Sequence, residues 1–303
     1  MVYTITLNPS LDYVMYTDAV EIGSVNAIER AAISAGGNGI NISVMLGEFG
    51  VPSTALGFVA GFTGDEIERR VRECGINTDF VHLPHGSSRI NVRLKTSAET
   101  ELNAPGEEVK SEDIMELFVK LHNVADGDVL VLSGSVPPGC PSDIYAQILE
   151  YVSAHEIKTV VDTHGELLTE TLKYAPNLIK MNLDGLAELF GDTPTTDSEV
   201  AAYAEQLQNM GAKNVLVSMG KDGALLMTEG GRSYRQGVCP GMLVNPVGAG
   251  DSMLAGVVAS LIDNDVDFEY ALIQGTAAGC ATAFSEGLGK RDKIIELMKA
   301  LMI

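Results

Sequence analysis

Apolar and polar positions along this chain follow two rhythms. Short apolar, β-branched runs at Val2–Leu7, Ser53–Phe58, Asp128–Leu132, Lys158–Asp162, Leu178–Met181 and Asn214–Ser218 have the length and composition of buried strands. Between them lie segments with helical spacing. These are Asn41–Phe49 after a Gly-rich turn, Asp65–Cys74 ended by Gly75, Ile144–His155, Glu166–Lys173 and Glu199–Met210. The small-residue apolar run Met253–Ile262 predicts one more helix, buried all round. Strand–helix alternation of this kind predicts an α/β fold, with a mostly parallel sheet covered on both faces and ligands bound beyond the carboxyl ends of its strands.

Two regions, about 11–34 and about 80–103, break the alternation. They carry polar and apolar residues in turn with few helix signals, and Arg89–Lys95 has a period of two. They predict a small separate β layer over the sheet edge, suited to serve as a lid or a dimer surface. The pattern puts Arg89 and Arg93 on one face of that strand and assigns Ile90 and Asn91 to the other. There is no internal repeat or low-complexity linker, so residues 1–303 are expected to form a single domain.

Composition narrows the partners. With 41 acidic and 20 basic residues the net charge is −21, which opposes binding to nucleic acid or an anionic membrane. No apolar run reaches membrane-spanning length, and the first residues read as a strand rather than a signal. Cys74, Cys140, Cys239 and Cys280 show no Cys-x-x-Cys spacing and are expected to be reduced, buried thiols of a cytoplasmic protein.

Candidate chemistry gathers in glycine- and Asp-rich turns. In Asn245-Pro246-Val247-Gly248-Ala249-Gly250-Asp251-Ser252, free N–H groups and the positive end of a helix dipole meet beside a carboxylate. Asp251 there could take a hydroxyl proton while Gly248, Ala249 and Gly250 hold a developing phosphoryl charge. The same segment also reads as a tight turn with an Asp helix cap. Asp12, just past the first strand, could accept hydrogen bonds from sugar hydroxyls or simply belong to a turn. Gly36-Gly37-Asn38-Gly39-Ile40-Asn41 allows close backbone approach to a ligand, or merely starts a helix. Ser133-Gly134-Ser135 could hold a phosphate or cap the next helix. Ser218, Gly220 and Gly223 form a turn whose small residues could pack on a flat ring. Arg89 and Arg93 are candidates for bidentate phosphate contact at a lid, or solvated surface residues.

These motifs, in this order and spacing, resemble the ribokinase-like sugar kinases of the PfkB family over essentially the whole chain. The likeness is strongest to the branch of 1-phosphofructokinase and tagatose-6-phosphate kinase. It rests on Thr6-Leu7-Asn8-Pro9-Ser10-Leu11-Asp12, the Gly-Gly turn through Asn41, Arg89-Ile90-Asn91-Val92, Glu99-Thr100-Glu101-Leu102-Asn103, Val247–Ser252 and Ala281-Thr282-Ala283-Phe284-Ser285. The resemblance implies a three-layer α/β/α fold with a small β lid, and ATP-dependent phosphorylation of a hexose phosphate. It implies Asp251 as general base with Gly248–Gly250 as anion hole. It further implies Asp12, Gly36, Gly37, Asn38 and Asn41 around the sugar, Arg89 and Ser135 at its phosphate, and Asn182, Ser218, Gly220 and Gly223 around ATP. Mg²⁺ is implied on the ATP phosphates, largely through water and with no residue assigned as a direct ligand. Lids of this family often pair, which implies a homodimer.

The chain departs from the branch in several places. Asn38 replaces a usual lysine and Ala27 a usual arginine, removing two cations from the expected phosphate site; Arg30 or Lys95 are the substitutes the sequence offers. Gly185 stands where the Asn-x-x-Glu pattern has Glu, with Asp184 and Glu188 nearby. Pro246 replaces Ser or Thr and removes one backbone donor, and His164 stands in place of a small hydroxyl residue. These losses keep two alternatives open: a kinase of an unphosphorylated sugar, and a non-catalytic sugar- or nucleotide-binding relative.

Overall fold

A computed structural model describes residues 1–96, 99–262 and 265–302. A nine-stranded sheet forms the centre. Its strands follow the order Ser233–Gln236, Ala224–Met227, Val215–Ser218, Leu178–Asn182, Lys158–Asp162, Val129–Ser133, Val2–Ile5, Ser53–Leu56 and Asn77–Thr78. The run from Val215–Ser218 to Asn77–Thr78 is parallel, and at the other edge Ala224–Met227 pairs antiparallel with both Val215–Ser218 and Ser233–Gln236.

The alternation of strand residues builds two cores, one on each face. Leu130 and Leu132 point to one side, with Ile5, Val161 and Ile179. Val129 and Val131 point to the other, with Val2, Val160 and Leu178. Helices Ser111–Leu121, Ile144–Val152 and Asp197–Asn209 cover the first face. Asn38–Glu48, Ala249–Leu261, Phe268–Ala283 and Arg291–Leu301 cover the second. The result is a three-layer sandwich. Ala249–Leu261 and Phe268–Ala283 meet at backbone distance, since a Cβ on Gly256 would lie 2.7 Å from the Cα of Gly275. Small residues along both helices make that approach possible.

A separate four-stranded sheet has the order Arg30–Gly36, Ser10–Tyr16, Arg89–Lys95 and Glu99–Leu102. The chain enters it directly from the carboxyl end of Val2–Ile5, so this sheet stands over the strand ends. Register sets Ser10 opposite Arg89, Asp12 opposite Asn91, and Arg93 opposite Glu101. One face therefore carries all six toward the strand ends. Asn91 accordingly lies with Arg89 and Arg93, not opposite them, because a strand returns to the same face every second residue. The other face exposes Ile33, Ile90 and Leu102, next to a connection that exposes Ile22, Val25 and Ile28.

The sequence-based boundaries shift in places. The first helix begins at Asn38, three residues early, because Gly37 with φ 128° ends the preceding strand. Glu166–Lys173 divides into a short helix, Gly165–Thr169, and a 3₁₀ turn, Leu172–Tyr174. Within 80–103, Val81–Leu83 pairs with Phe58–Ala60 in a two-stranded sheet of its own, and Ser97 and Ala98 lie outside the described residues. Among the cysteines, Cys239 and Cys280 are buried, Cys140 is half-buried, and Cys74 is exposed at a helix end, contrary to the expectation of four buried thiols.

Candidate active site

The space between the strand ends and the smaller sheet is a cleft of about 1280 Å³. That exceeds the usual size of a single small-molecule site, about 300–1,000 Å³, and leaves room for two ligands. Asp12, Gly37, Asn38, Asn41, Arg89, Ser135, Asn182, Ser218, Gly220 and Gly248 through Asp251 all line it. Gly36 and Gly223 do not. Gly36 lies behind Asp12: a Cβ there would come within 2.5 Å of the Asp12 carboxylate. Gly223, with φ 93°, is needed for the hairpin turn, where a Cβ would collide with the Gln236 carbonyl.

At one end the smaller sheet supplies polar groups. Asp12 Oδ1 accepts from Ser10 Oγ at 2.6 Å and from Asn91 Nδ2 at 3.1 Å. Asp12 Oδ2 lies 3.3 Å from Arg93 Nη2. Arg93 also has Glu101 Oε1 3.3 Å from its Nε. Arg89 is held differently: Nε donates to the Asn8 carbonyl at 3.1 Å and Nη1 to that of Ala104 at 3.3 Å. It has no ion pair among the described residues, and burial pulls its pKa down, against the field of Asp12. The two substitutes for the missing cations are both engaged. Arg30 pairs with Glu286 at 3.2 Å, and Lys95 with Glu99 at 2.8 Å. Ala27 is exposed on the connecting loop.

At the other end the helix Ala249–Leu261 opens on the cleft. Gly248 adopts φ 78°, the left-handed turn that starts it. The Ala249 N–H turns back to the Pro246 carbonyl at 3.2 Å, whereas those of Gly250 and Asp251 have no backbone partner among the described residues. Of the expected Gly248–Gly250 donors, those of Gly248 and Gly250 are without a backbone partner among the described residues and that of Ala249 is engaged; the Asp251 N–H adds a further free donor. Asp251 is buried and accepts from Asn41 Nδ2 at 2.8 Å. Its pKa is pushed up to about 6, first by burial and then by Asp162, while Lys180, Asn41 and Arg93 pull it down.

Lys180 and Asp162 carry no sequence signal of their own: Asp162 ends the strand Lys158–Asp162 and looks like a boundary residue, and Lys180 is a lone cation inside Leu178–Asn182. Lys180 Nζ pairs with Asp162 Oδ1 at 3.0 Å, and Ser133 Oγ donates to Asp162 Oδ2 at 2.8 Å. A Cβ on Gly250 would stand 3.1 Å from Lys180 Nζ, so this ammonium rests against the helix opening. Burial alone would lower its pKa; Asp162 and Asp251 outweigh burial and hold it above the ordinary value. The parallel register that sets Val161 beside Ile179 carries on to bring Asp162 beside Lys180.

Toward the far wall, Asn182 Oδ1 accepts from the Gly185 N–H at 2.8 Å and so caps the helix Leu183–Phe190. Gly185 is buried against Met181, while Asp184 and Glu188 face the cleft, as does His164. Thr276 also lines this wall, and its Oγ1 is buried with no hydrogen-bond partner among the described residues.

The PfkB family carbohydrate kinase model matches residues 5–293 of the chain. The chain is 40% identical to a 1-phosphofructokinase of Bacillus subtilis (strain 168) over 303 residues, which is 100% of this chain and 99% of that protein. It is 35% identical to a D-tagatose-1-phosphate kinase of Bacillus licheniformis over 304 residues, again 100% and 99%. Among solved structures, phosphofructokinase-2 from Escherichia coli in complex with substrates and products superposes with a TM-score of 0.94 at 26% identity, covering 100% of this chain and 99% of the other.

Proposed function

Since the chain belongs to the PfkB family of carbohydrate kinases, has the ribokinase-like fold and is a sugar-phosphate kinase, we propose that it transfers a phosphoryl group from ATP to a hydroxyl of a ketohexose phosphate, with Asp251 as the base. The observation that carries the choice of a phosphorylated sugar is Arg89. It is a half-buried guanidinium held by two carbonyls, with no carboxylate paired to it among the described residues. An uncompensated cation at the sugar end favours a dianionic group there. Ser135 and Asn38 flank the same end.

The division of labour follows the cleft. Asp12 and Asn41 hold sugar hydroxyls, and Gly37 lets the backbone approach them. Asp251, near neutrality in its proton affinity, removes the proton of the attacking hydroxyl. General bases work best when their pKa lies near the working pH. The N–H groups of Gly250 and Asp251, with the start of the helix and Lys180, meet the charge that develops on the transferred group.

The residues present fit ATP. Thr276 Oγ1 is an orphaned buried polar atom on the far wall, available to a nucleobase. Ser218, Gly220 and Asn182 share that end, with Gly223 shaping the turn from behind. Mg²⁺ bound with ATP supplies charge neutralisation on its phosphates. Asp184 and Glu188 are single carboxylates facing the cleft, which fits contact through the waters that Mg²⁺ retains. Glu188, one helical turn beyond Gly185, takes the place of the missing Glu in this reading.

Residues 1–303 act as one kinase domain, with the four-stranded sheet as its lid. The exposed Ile22 and Val25 next to the lid's outer face favour pairing with a second copy. A cytoplasmic setting is proposed from the kinase relatives and the free thiols; no helix among the described residues is long and apolar enough to cross a membrane.

A kinase of an unphosphorylated sugar is the second reading, favoured by Ala27 and Asn38 and by the engagement of Arg30 and Lys95 elsewhere. An ADP-release assay with Mg-ATP separates the two. Turnover of fructose 1-phosphate or a tagatose phosphate supports the first. Turnover of free fructose, tagatose or ribose alone supports the second and overturns the first.

A further inference from the structure

Arg93 is unusual in this cleft. It is a mostly buried guanidinium, 15% exposed, with ion-pair contacts to Asp12 and Glu101 at 3.3 Å each. None of its donors is in hydrogen-bond geometry with a partner among the described residues, and Nε is buried and unsatisfied. A guanidinium carries five N–H donors, and leaving them unmet in a buried site costs free energy. Glu101 stands opposite Arg93 in the register of the sheet and on the same face. Its side chain is 37% exposed and it lines the cleft. Asp12, already holding Ser10 and Asn91 on Oδ1, keeps Oδ2 beside Arg93.

These three groups present, side by side, donors without acceptors and acceptors with free lone pairs. A sugar hydroxyl satisfies both needs at once: its oxygen accepts from Arg93 and its hydrogen goes to Glu101 or to Asp12 Oδ2. A phosphate satisfies only the donors and would face two carboxylates. The site is therefore matched to a hydroxyl, whereas Arg89, free of carboxylates, is matched to phosphate.

Resting on the ketohexose-phosphate reading above, we infer that the Arg93–Glu101 couple reads the hydroxyl configuration of the sugar and sets the preference between ketohexose phosphates epimeric at C4. Two relatives of this chain are named for fructose-type and tagatose-type substrates, and those sugars differ at that one hydroxyl. A hydroxyl turned the wrong way leaves Arg93 and Glu101 unpaired, which is how a polar site rejects an analogue that it cannot hydrogen-bond.

The test compares fructose 1-phosphate with tagatose 1-phosphate on wild type, Glu101→Gln and Arg93→Lys. Both kcat/KM and direct binding by calorimetry are measured, with urea unfolding alongside. Glu101→Gln keeps shape and removes only the strong acceptor, so it keeps the test available if Arg93→Lys folds poorly. The expected result is that the ratio between the two epimers moves by about tenfold or more in either variant. An unchanged ratio, within about twofold, overturns the inference even if absolute activity falls, because a purely structural role lowers both substrates together. If the wild type binds the epimers but turns over neither, the kinase reading fails, while the binding ratio still decides this inference. Binding of neither epimer overturns both.

Discussion

Replacing Asp251 by Asn tests the proposed chemistry and its thermodynamic cost in one molecule. The folded protein keeps an ionisable carboxyl in a buried site, where its pKa rises from 3.8 to about 6. Above pH 6 the fold must carry the ionised form that its surroundings disfavour. Below about pH 4 the carboxyl is protonated in both states and the penalty is gone. A difference of about 2 pKa units corresponds to about 3 kcal/mol at neutral pH. Asn is neutral and its carbonyl still accepts from Asn41, so Asp251→Asn should raise stability by about 1–3 kcal/mol at pH 8. Near pH 4 the gain should vanish. Turnover should fall by about 10²–10⁴-fold, the usual contribution of a general base. Urea unfolding at both pH values gives the first quantity, and coupled ADP release gives the second. A variant that is less stable than wild type at pH 8 would refute the burial argument. Near-normal turnover would refute the assignment of the base.

Arg89→Ala should raise KM for phosphorylated ketohexoses by about 10–100-fold, the contribution of a charged hydrogen-bonded contact, and leave free sugars unaffected; equal losses on both would count against a phosphate contact. Lys180→Met should cost about 3–5 kcal/mol by stranding Asp162 as an unpaired buried charge, and adding Asp162→Asn should recover part of it; an additive double variant in urea unfolding would contradict the pairing. The same lysine pulls the Asp251 pKa down, so its loss should move the acidic limb of kcat/KM to higher pH, and a limb that stays in place would show that the ammonium does not act on the base. Ile22→Asp with Val25→Asp should yield a monomer in sedimentation if the exposed apolar loop joins two copies; an unchanged mass relative to wild type would remove this surface as the interface.

The alternation of strands and helices was plain in the sequence because apolar runs such as Val129–Leu132 feed both cores at once, and periodicity alone reports that. The ends of elements were less plain. Gly37 lets the first helix start at Asn38, yet nothing in Gly-Gly-Asn-Gly says which glycine takes the unusual φ. Of the cleft residues, those in glycine-rich turns were legible because the turn itself is a signal. Arg93 is legible beside Arg89 from the period of two, but as a phosphate contact rather than a neighbour of Asp12 and Glu101. Lys180 and Asp162 carry no such signal, since a lone polar residue in or at the end of a short apolar strand is common and only the parallel pairing of distant strands brings Lys180 to Asp162. Asn91 was set on the wrong face by one position, a slip that reverses what a strand residue touches. The sequence offers Asn182 as a nucleotide contact and does not show that its Oδ1 also caps the helix Leu183–Phe190.

The contact of Gly256 with Gly275 has a further consequence for motion. Two helices whose backbones touch have no side-chain layer through which to slide or tilt, so the helix bearing Asp251 is fixed to its neighbour as one body. A part that opens and closes around a substrate is then expected to be the four-stranded sheet, which is joined to the rest by strand ends, by Leu11 packed on Ile67 and Val71 of the helix Gly61–Glu73, and by ion pairs such as Arg30 with Glu286. Amide hydrogen exchange should divide accordingly: Ala249–Leu261 and Phe268–Ala283 exchange only by global unfolding, while Ser10–Tyr16, Arg30–Gly36 and Arg89–Lys95 exchange faster and slow when ligand is added. On the proposed reading, substrate capture is then the movement of a roof onto a rigid floor, with the proposed base Asp251 in the floor.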